Sequence, residues 1–284
     1  MHAQDVRKAA VVALLIVAGL TAYASGRAET SLDDLEPSLY LPRSHSHNDY
    51  AQSRPLVDAL RRGFASVEVD VFLVDGALLV AHEADEVSPS VTLRGLYLDP
   101  LRAIVSRNGG SAYSDSNQPL QLLVDVKSEA GPTYRALHET LQDYTDILTS
   151  WTNTGAGPGP VVVVLSGNRA TRLVESEPVR YVALDGRAEE DRSAMTADVM
   201  PLVSVDWESV EAQSENERLA AARSLVERFH AEGRKVRFWG TPDRAALWRS
   251  LVAMGVDYIG TDDPRRLQRL LQEVGDLPAS AVEE

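Results

Sequence analysis

The chain has 284 residues, 44% of them hydrophobic and 25% charged, with a formal net charge of −14. That composition supports a globular domain with a full core, and its sign excludes nucleic acid, whose phosphate backbone demands a basic partner. With no cysteine in the chain, disulfides, thiolate metal sites, cysteine nucleophiles and lipidated-cysteine anchors are excluded as well.

The N-terminus carries Arg7 and Lys8, then an apolar run from Ala9 to Ala24 that ends Ala22-Tyr23-Ala24. A basic head, a short apolar centre and an Ala-x-Ala end predict a secretory signal peptide over residues 1–24, and so export to the periplasm or the extracellular space. An uncleaved N-terminal membrane anchor is the alternative, but about 16 apolar residues fall short of the ~20 that span a bilayer as a helix. No integral span is expected after cleavage. Residues 25–37 read as a flexible polar segment, 38–275 as one barrel domain and 276–284 as a frayed tail.

From there short β-rich runs alternate with helical ones. The candidate strands are Leu39–Ser44, Ser66–Leu73, Leu120–Lys127, Val161–Ser166, Val179–Leu184, Leu202–Ser204, Val236–Trp239 and Tyr258–Thr261. The run Val161 to Leu165 is continuously apolar, as a parallel strand buried on both faces requires. Helical patterns lie between the strands over Pro55–Arg62, Asp99–Arg107, Thr133–Leu148, Asn168–Val174, Asn216–Glu232, Asp243–Met254 and Pro264–Glu273. Several end at a glycine, as at Gly63, Gly233 and Gly255, which suits a left-handed cap. The Asp75-Gly76 pair predicts a hairpin that folds Leu78–Ala81 back on the second strand. Gly155–Pro160 reads as a plain connection, and Asp185–Asp198 as a polar loop on the active face. Eight alternations in one domain predict an α/β fold, a (β/α)₈ TIM barrel.

The second strand contains Val67-Glu68-Val69-Asp70-Val71. Side chains two apart on a strand share a face, so Glu68 and Asp70 project together toward the barrel interior. Two desolvated carboxylates repel, and a divalent cation with a preference for hard oxygen ligands, Mg²⁺ or Ca²⁺, removes the conflict. The third strand ends Val124-Asp125-Val126-Lys127. Asp125 there is a candidate third ligand, and Lys127 a candidate contact for a phosphate oxygen or for the carboxylates themselves. The C-terminal ends of barrel strands are where catalytic groups sit. His45 and His47 follow the first strand, and His82 follows the hairpin; histidine titrates near neutrality and suits proton transfer. His138 and His230 fall within helical patterns and receive no role. The His-x-His spacing also occurs in zinc-dependent amidohydrolase barrels, but the later strands here offer no further histidine.

The order of His, then Glu68-Val69-Asp70, then Asp75-Gly76 with Leu79-Val80-Ala81-His82, then Asp125-Val126-Lys127 resembles a known superfamily of phosphodiesterases. It comprises glycerophosphodiester phosphodiesterases, bacterial phosphatidylinositol phospholipases C and spider-type sphingomyelinases D. Val236 to Trp239 and Gly255 to Asp262 resemble its last two strands. The opening Ser44-His45-Ser46-His47-Asn48-Asp49-Tyr50 resembles a branch typified by the fungal altered inheritance of mitochondria protein 6 group. The glycerophosphodiesterase His-Arg-Gly opening is absent, and Glu83 stands where an aspartate usually follows the second histidine.

The resemblance implies a phospholipase-C-like barrel holding one divalent cation, Mg²⁺ or Ca²⁺, on Glu68, Asp70 and Asp125. It implies two catalytic histidines, one being His82 and the other His45 or His47. Asn48, three residues after His45, favours His45, as in the sphingomyelinase D arrangement. Lys127, Asn48 and Trp239 are the candidate substrate contacts. The expected activity is phosphodiester hydrolysis or cleavage of a glycerophosphodiester or phospholipid-type substrate, by a monomer. A non-catalytic phosphoryl-ligand binding protein and a zinc amidohydrolase are the alternatives.

Overall fold

The structure is a computed structural model and describes residues 40–275. The expected signal segment, the polar stretch after it and the C-terminal tail lie outside the described residues.

Eight parallel strands close into a barrel: β1 (Leu41–Ser46), β2 (Phe64–Val74), β4 (Leu120–Val126), β7 (Val161–Gly167), β9 (Val182–Gly186), β10 (Leu202–Asp206), β11 (Lys235–Trp239) and β12 (Tyr258–Thr261). Each pairs with the next in parallel, and β1 pairs with both β12 and β2, which seals the ring. Closure removes every free edge among these strands. One antiparallel strand, β3 (Ala77–Val80), folds back on β2 through Asp75 and Gly76. Both turn residues have positive φ, 49° and 81°, the conformation an Asp-Gly hairpin turn demands.

Burial follows the pattern in the residues. Every position of β2 from Phe64 to Val71 is buried, carboxylates included. The helices cover the outside of the ring, each through one apolar stripe. Pro264–Glu273 buries Pro264, Leu267, Leu270 and Leu271. Glu215–Ala231 buries Ala222, Val226 and Phe229, and the Ser214 hydroxyl caps it by accepting from Glu217 N–H. Among the described residues no helix is long and apolar enough to cross a membrane.

The structure differs from the expected elements in several places; the helix expected over Thr133–Leu148 ends at Gln142, and the strand expected over Val179–Leu184 divides between Val179–Arg180 and Val182–Gly186. The first strand runs Leu41–Ser46 and not Leu39–Ser44, because Ser44, His45 and Ser46 enter the interior as hydrogen-bonded polar groups, which a hydropathy pattern does not register. The segment Gly155–Gly157, expected as a connection, is a short strand, β6. It pairs with β5 (Ser150–Thr152), which in turn pairs with β8 (Val179–Arg180) in a second, three-stranded sheet. Glycine and alanine carry little strand propensity, so the pairing is imposed by the hairpin. Asp185 belongs to β9, and the polar segment after it is held by Arg169–Glu190 and Arg192–Glu232 ion pairs. His138 and His230 sit in helices as expected, the first between Tyr134 and Tyr181, the second against Asp257.

Candidate active site

Strand registry assembles the site. Asp70 on β2 stands level with Asp125 on β4, and Asp125 with Ser166 on β7. Glu68 lies two residues before Asp70 on the same face. One ligand oxygen from each of Glu68, Asp70 and Asp125 falls within 4.8 Å of the others. Glu68 is 3% exposed and Asp70 fully buried.

Three acids this close require compensation, and two cations supply part of it. Lys127 Nζ lies 3.2 Å from Asp70 Oδ2 and 3.0 Å from Asp125 Oδ2. Arg237, buried on β11, pairs with Glu68. Burial acts to raise the Glu68 pKa, but Arg237 and the His45 hydrogen bond outweigh it and hold the carboxyl well below the usual range. For Asp70 burial wins: its pKa is raised in spite of Lys127 and the Tyr50 hydrogen bond, with Asp125 and Glu68 adding to the rise. Burial would lower Lys127, but Asp125 and Asp70 carry its pKa upward.

Two oxygens in the cluster are bare. Asp70 Oδ1 and Asp125 Oδ1 are buried and have no hydrogen-bond partner. A buried carboxylate oxygen without a donor is costly. Gly167 makes room for Asp125 Oδ1 itself: a side chain there would overlap that oxygen and the backbone of Val126. Bare hard oxygens on clustered acids fit a Mg²⁺ or Ca²⁺ ion.

The histidines divide. His45 is fully buried. Ser66 Oγ lies 2.8 Å from its Nδ1 and Glu68 Oε2 lies 2.8 Å from its Nε2. Gln121 Nε2–H donates to the same serine oxygen, and Arg237 Nη1 lies 2.8 Å from His45 Nε2. Burial, aided by Arg237, pushes the His45 pKa down to about 4 against the opposing pull of Glu68. His45 thus sits behind Glu68, and it borders a smaller side cavity of about 180 Å³.

His47 stands at the mouth. Its Nδ1 lies 2.8 Å from Asp262 Oδ1, in the residue that follows β12. Burial acts to lower its pKa, but the Asp262 hydrogen bond and the Glu68 charge outweigh this and raise it. Asp262 is lowered in turn, chiefly by the bond to His47. His82 leaves β3 on the other side, with Nδ1 3.2 Å from Asp70 Oδ2 and 3.1 Å from Tyr50 Oη.

A cavity of about 320 Å³ lies between these groups. His47, Asn48, Glu68, His82, Asp125 and Lys127 line one part of it. Ser166, Arg187, Arg237 and Trp239 line the rest. Trp239 is 44% exposed, an unusual setting for so large an apolar ring. The cavity therefore gathers seven of the nine expected site residues, while His45 and Asp70 do not line it.

The sequence reading assigned no role to Arg237, Asp262, Tyr50, Ser166, Gly167, Asp185 or Arg187. Arg237 carried a signal of its own, a cation alternating with apolar residues in Val236-Arg237-Phe238, the same anomaly that exposed Glu68 and Asp70. Asp185 is buried, accepts from Ser166 Oγ at 2.7 Å and pairs with Arg187 at 3.1 Å. Asp262 meets His47 across 215 positions of sequence, and nothing local announces it.

Comparison with known proteins identifies the family and the fold. Residues 34–185 match the model of the AIM6-like phosphodiesterase domain, and residues 235–265 match that of the glycerophosphoryl diester phosphodiesterase family. The chain is 32% identical over 263 residues to altered inheritance of mitochondria protein 6 of Eremothecium gossypii, covering 78% of this chain and 68% of that protein. It is 29% identical over 253 residues to the homologue in Arthroderma benhamiae, covering 77% and 80%. A solved glycerophosphodiester phosphodiesterase from Parabacteroides distasonis superposes with a TM-score of 0.54 at 16% identity, over 84% of this chain and 99% of that one. A second structure from that organism, described as a glycerophosphoryl diester phosphodiesterase, gives 0.50 at 14% identity, over 88% and 94%. These two likenesses establish the fold.

Proposed function

The chain belongs to the AIM6-like phosphodiesterase family, and from that premise we propose that it is a cation-dependent phosphodiesterase acting on a small or lipid-derived phosphodiester. The observation that carries the reading is the pair of bare oxygens on Asp70 and Asp125, set beside Glu68 in a cavity flanked by His47 and His82. Glu68, Asp70 and Asp125 would hold one Mg²⁺ or Ca²⁺ ion. When bound, such an ion supplies Lewis-acid polarisation of a phosphate oxygen and stabilises charge in the transition state.

Charge supports the substrate class. Around the cavity the four carboxylates Glu68, Asp70, Asp125 and Asp185 face three cationic side chains, Lys127, Arg187 and Arg237. The excess is negative, and a divalent cation would turn it positive, matched to a singly charged phosphodiester. Lys127 then offers a fixed ammonium to a non-bridging oxygen. His47, its pKa raised beside Asp262, suits the donor that protonates the departing alcohol. His82 carries its inner nitrogen against Tyr50 and Asp70 and suits the acceptor that takes a proton from the attacking oxygen. Trp239 and Asn48 would shape the part of the cavity that receives the rest of the substrate. The zinc amidohydrolase alternative is disfavoured by the histidines, since both His45 nitrogens are engaged with Ser66 and Glu68.

The test is turnover of bis(p-nitrophenyl) phosphate and of a glycerophosphodiester with added Mg²⁺ or Ca²⁺. Cleavage abolished by chelator, and lowered on the order of 10²- to 10³-fold in Asp70→Asn and Asp125→Asn, is expected. Undiminished cleavage in excess chelator would sink the cation-dependent reading. Phosphodiester binding without turnover would favour a non-catalytic receptor on the same barrel.

A further inference from the structure

We propose that Tyr50 is a positioning residue of this site, its hydroxyl linking Asp70 to His82 so that His82 keeps its proton on Nδ1 and its lone pair on Nε2. This rests on the reading of the cavity as an acid–base phosphodiesterase centre.

Tyr50 sits in a short 3₁₀ turn, Asp49–Ala51, directly after the His-x-His pair. Asn48 before it has φ 44°, the left-handed conformation that asparagine tolerates better than most residues. The reversal carries the Tyr50 side chain inward, where it is 8% exposed. It does not line the cavity. Its hydroxyl lies 2.8 Å from Asp70 Oδ2, 3.0 Å from Asn48 Oδ1 and 3.1 Å from His82 Nδ1.

A phenol has one proton to give and lone pairs to accept with. Asp70 Oδ2 faces three donors: Tyr50 Oη, Lys127 Nζ at 3.2 Å and His82 Nδ1 at 3.2 Å. One carboxylate oxygen has about two lone-pair sites and cannot serve all three well. When Tyr50 donates to Asp70, its own oxygen becomes the nearer acceptor for His82 Nδ1–H, at 3.1 Å against 3.2 Å to Asp70 Oδ2. The chain of donation then runs from His82 to Tyr50 to Asp70. The partner on one imidazole nitrogen sets the chemistry of the other, so Nε2, on a half-exposed ring and 3.9 Å from Glu83 Oε1, is left to take a proton. Asp70 Oδ1 stays free of this chain. The hydroxyl thereby couples a candidate cation ligand to a candidate base without touching substrate.

Tyr50→Phe removes one oxygen and keeps the ring. Nitrogen NMR of the His82 imidazole in the full chain, without added cation and at a pH where the ring is neutral, reads the tautomer directly. The wild type is expected as the Nδ1–H form, with the Nδ1–H proton moving downfield in Tyr50→Phe as its acceptor changes from the phenol to the Asp70 carboxylate. With Mg²⁺ and bis(p-nitrophenyl) phosphate, kcat is expected to fall about 10- to 100-fold while KM stays within about twofold. Nε2–H in the wild type, an Nδ1–H resonance unmoved in the variant, or a loss confined to KM would each overturn the proposal. The wild-type spectrum decides the matter even if the variant fails to fold. A wild type that cleaves no phosphodiester would end the functional reading, while the tautomer would still report on Tyr50.

Discussion

The two oxygens of Asp70 face different worlds: Oδ2 meets Tyr50, Lys127 and His82, and Oδ1 meets nothing. Asp125 repeats the asymmetry, with Lys127 on Oδ2 and a bare Oδ1 beside Gly167. Gly167 also has φ +67°, a region costly for any side chain. Gly167→Ala is therefore expected to destabilise by more than about 1 kcal/mol and to weaken cation binding together. Chemical denaturation and a Ca²⁺ titration check the pair; unchanged cation affinity would mean that the glycine serves only the backbone. At His47 the ion pair with Asp262 makes stability depend on pH. A raised imidazole pKa contributes stability that is fully present below the ordinary value of 6.5 and is lost as pH rises through the folded value. The gap in Tm between wild type and His47→Gln should therefore be wider near about pH 5.5 than near about pH 9. Equal gaps at the two pH values would remove the ion pair from the account.

At the scale of elements, the turn between β1 and β2 is the least ordinary piece of chain. Asn48 and Leu56 both take positive φ, 44° and 65°, and a branched side chain such as Leu56 rarely does so. Asp49 offsets that strain. Its buried carboxyl accepts from Leu56 N–H at 2.6 Å, Ser46 Oγ at 2.8 Å and Tyr97 Oη at 2.9 Å. Burial nonetheless pushes its pKa up to about 6. Asp49→Ala takes this acceptor from the Leu56 N–H and the Ser46 hydroxyl, at roughly 1–3 kcal/mol each where no water replaces it. A drop of several kcal/mol in urea denaturation is expected, with disorder spreading to His47 and Tyr50. A loss below about 1 kcal/mol would show that the turn is held by packing instead. The strands themselves were legible because β2 and β4 are apolar runs with acids two apart or at the end. β1 was misplaced by two residues because its last buried positions are Ser44, His45 and Ser46, polar residues that a hydropathy pattern reads as exposed.

For the molecule as a whole, a negative site in a chain of net charge −14 gains from any divalent cation that binds the folded state alone. At about 100 times its Kd such a ligand stabilises by about 2.7 kcal/mol. For a domain of this size that corresponds to a rise in Tm of roughly 5–10 °C. Thermal denaturation with Mg²⁺ or Ca²⁺ should show the rise in the wild type and not in Asp125→Asn. Equal shifts in both would assign the effect to general screening of the acidic surface.

The barrel and its cluster of acids were determined by the sequence alone. Apolar runs at β/α spacing admit few folds, and a carboxylate inside such a run is visible as an exception wherever it stands. The partners of those acids were decided only by the closed ring. Whether His45 or His47 reaches the cavity depends on where β1 begins. Arg237 meets Glu68 across 169 positions, and Asp262 meets His47, because the last two strands return beside the first. Such contacts are set by strand registry and closure, which are properties of the assembled sheet and leave no trace in any short stretch of residues.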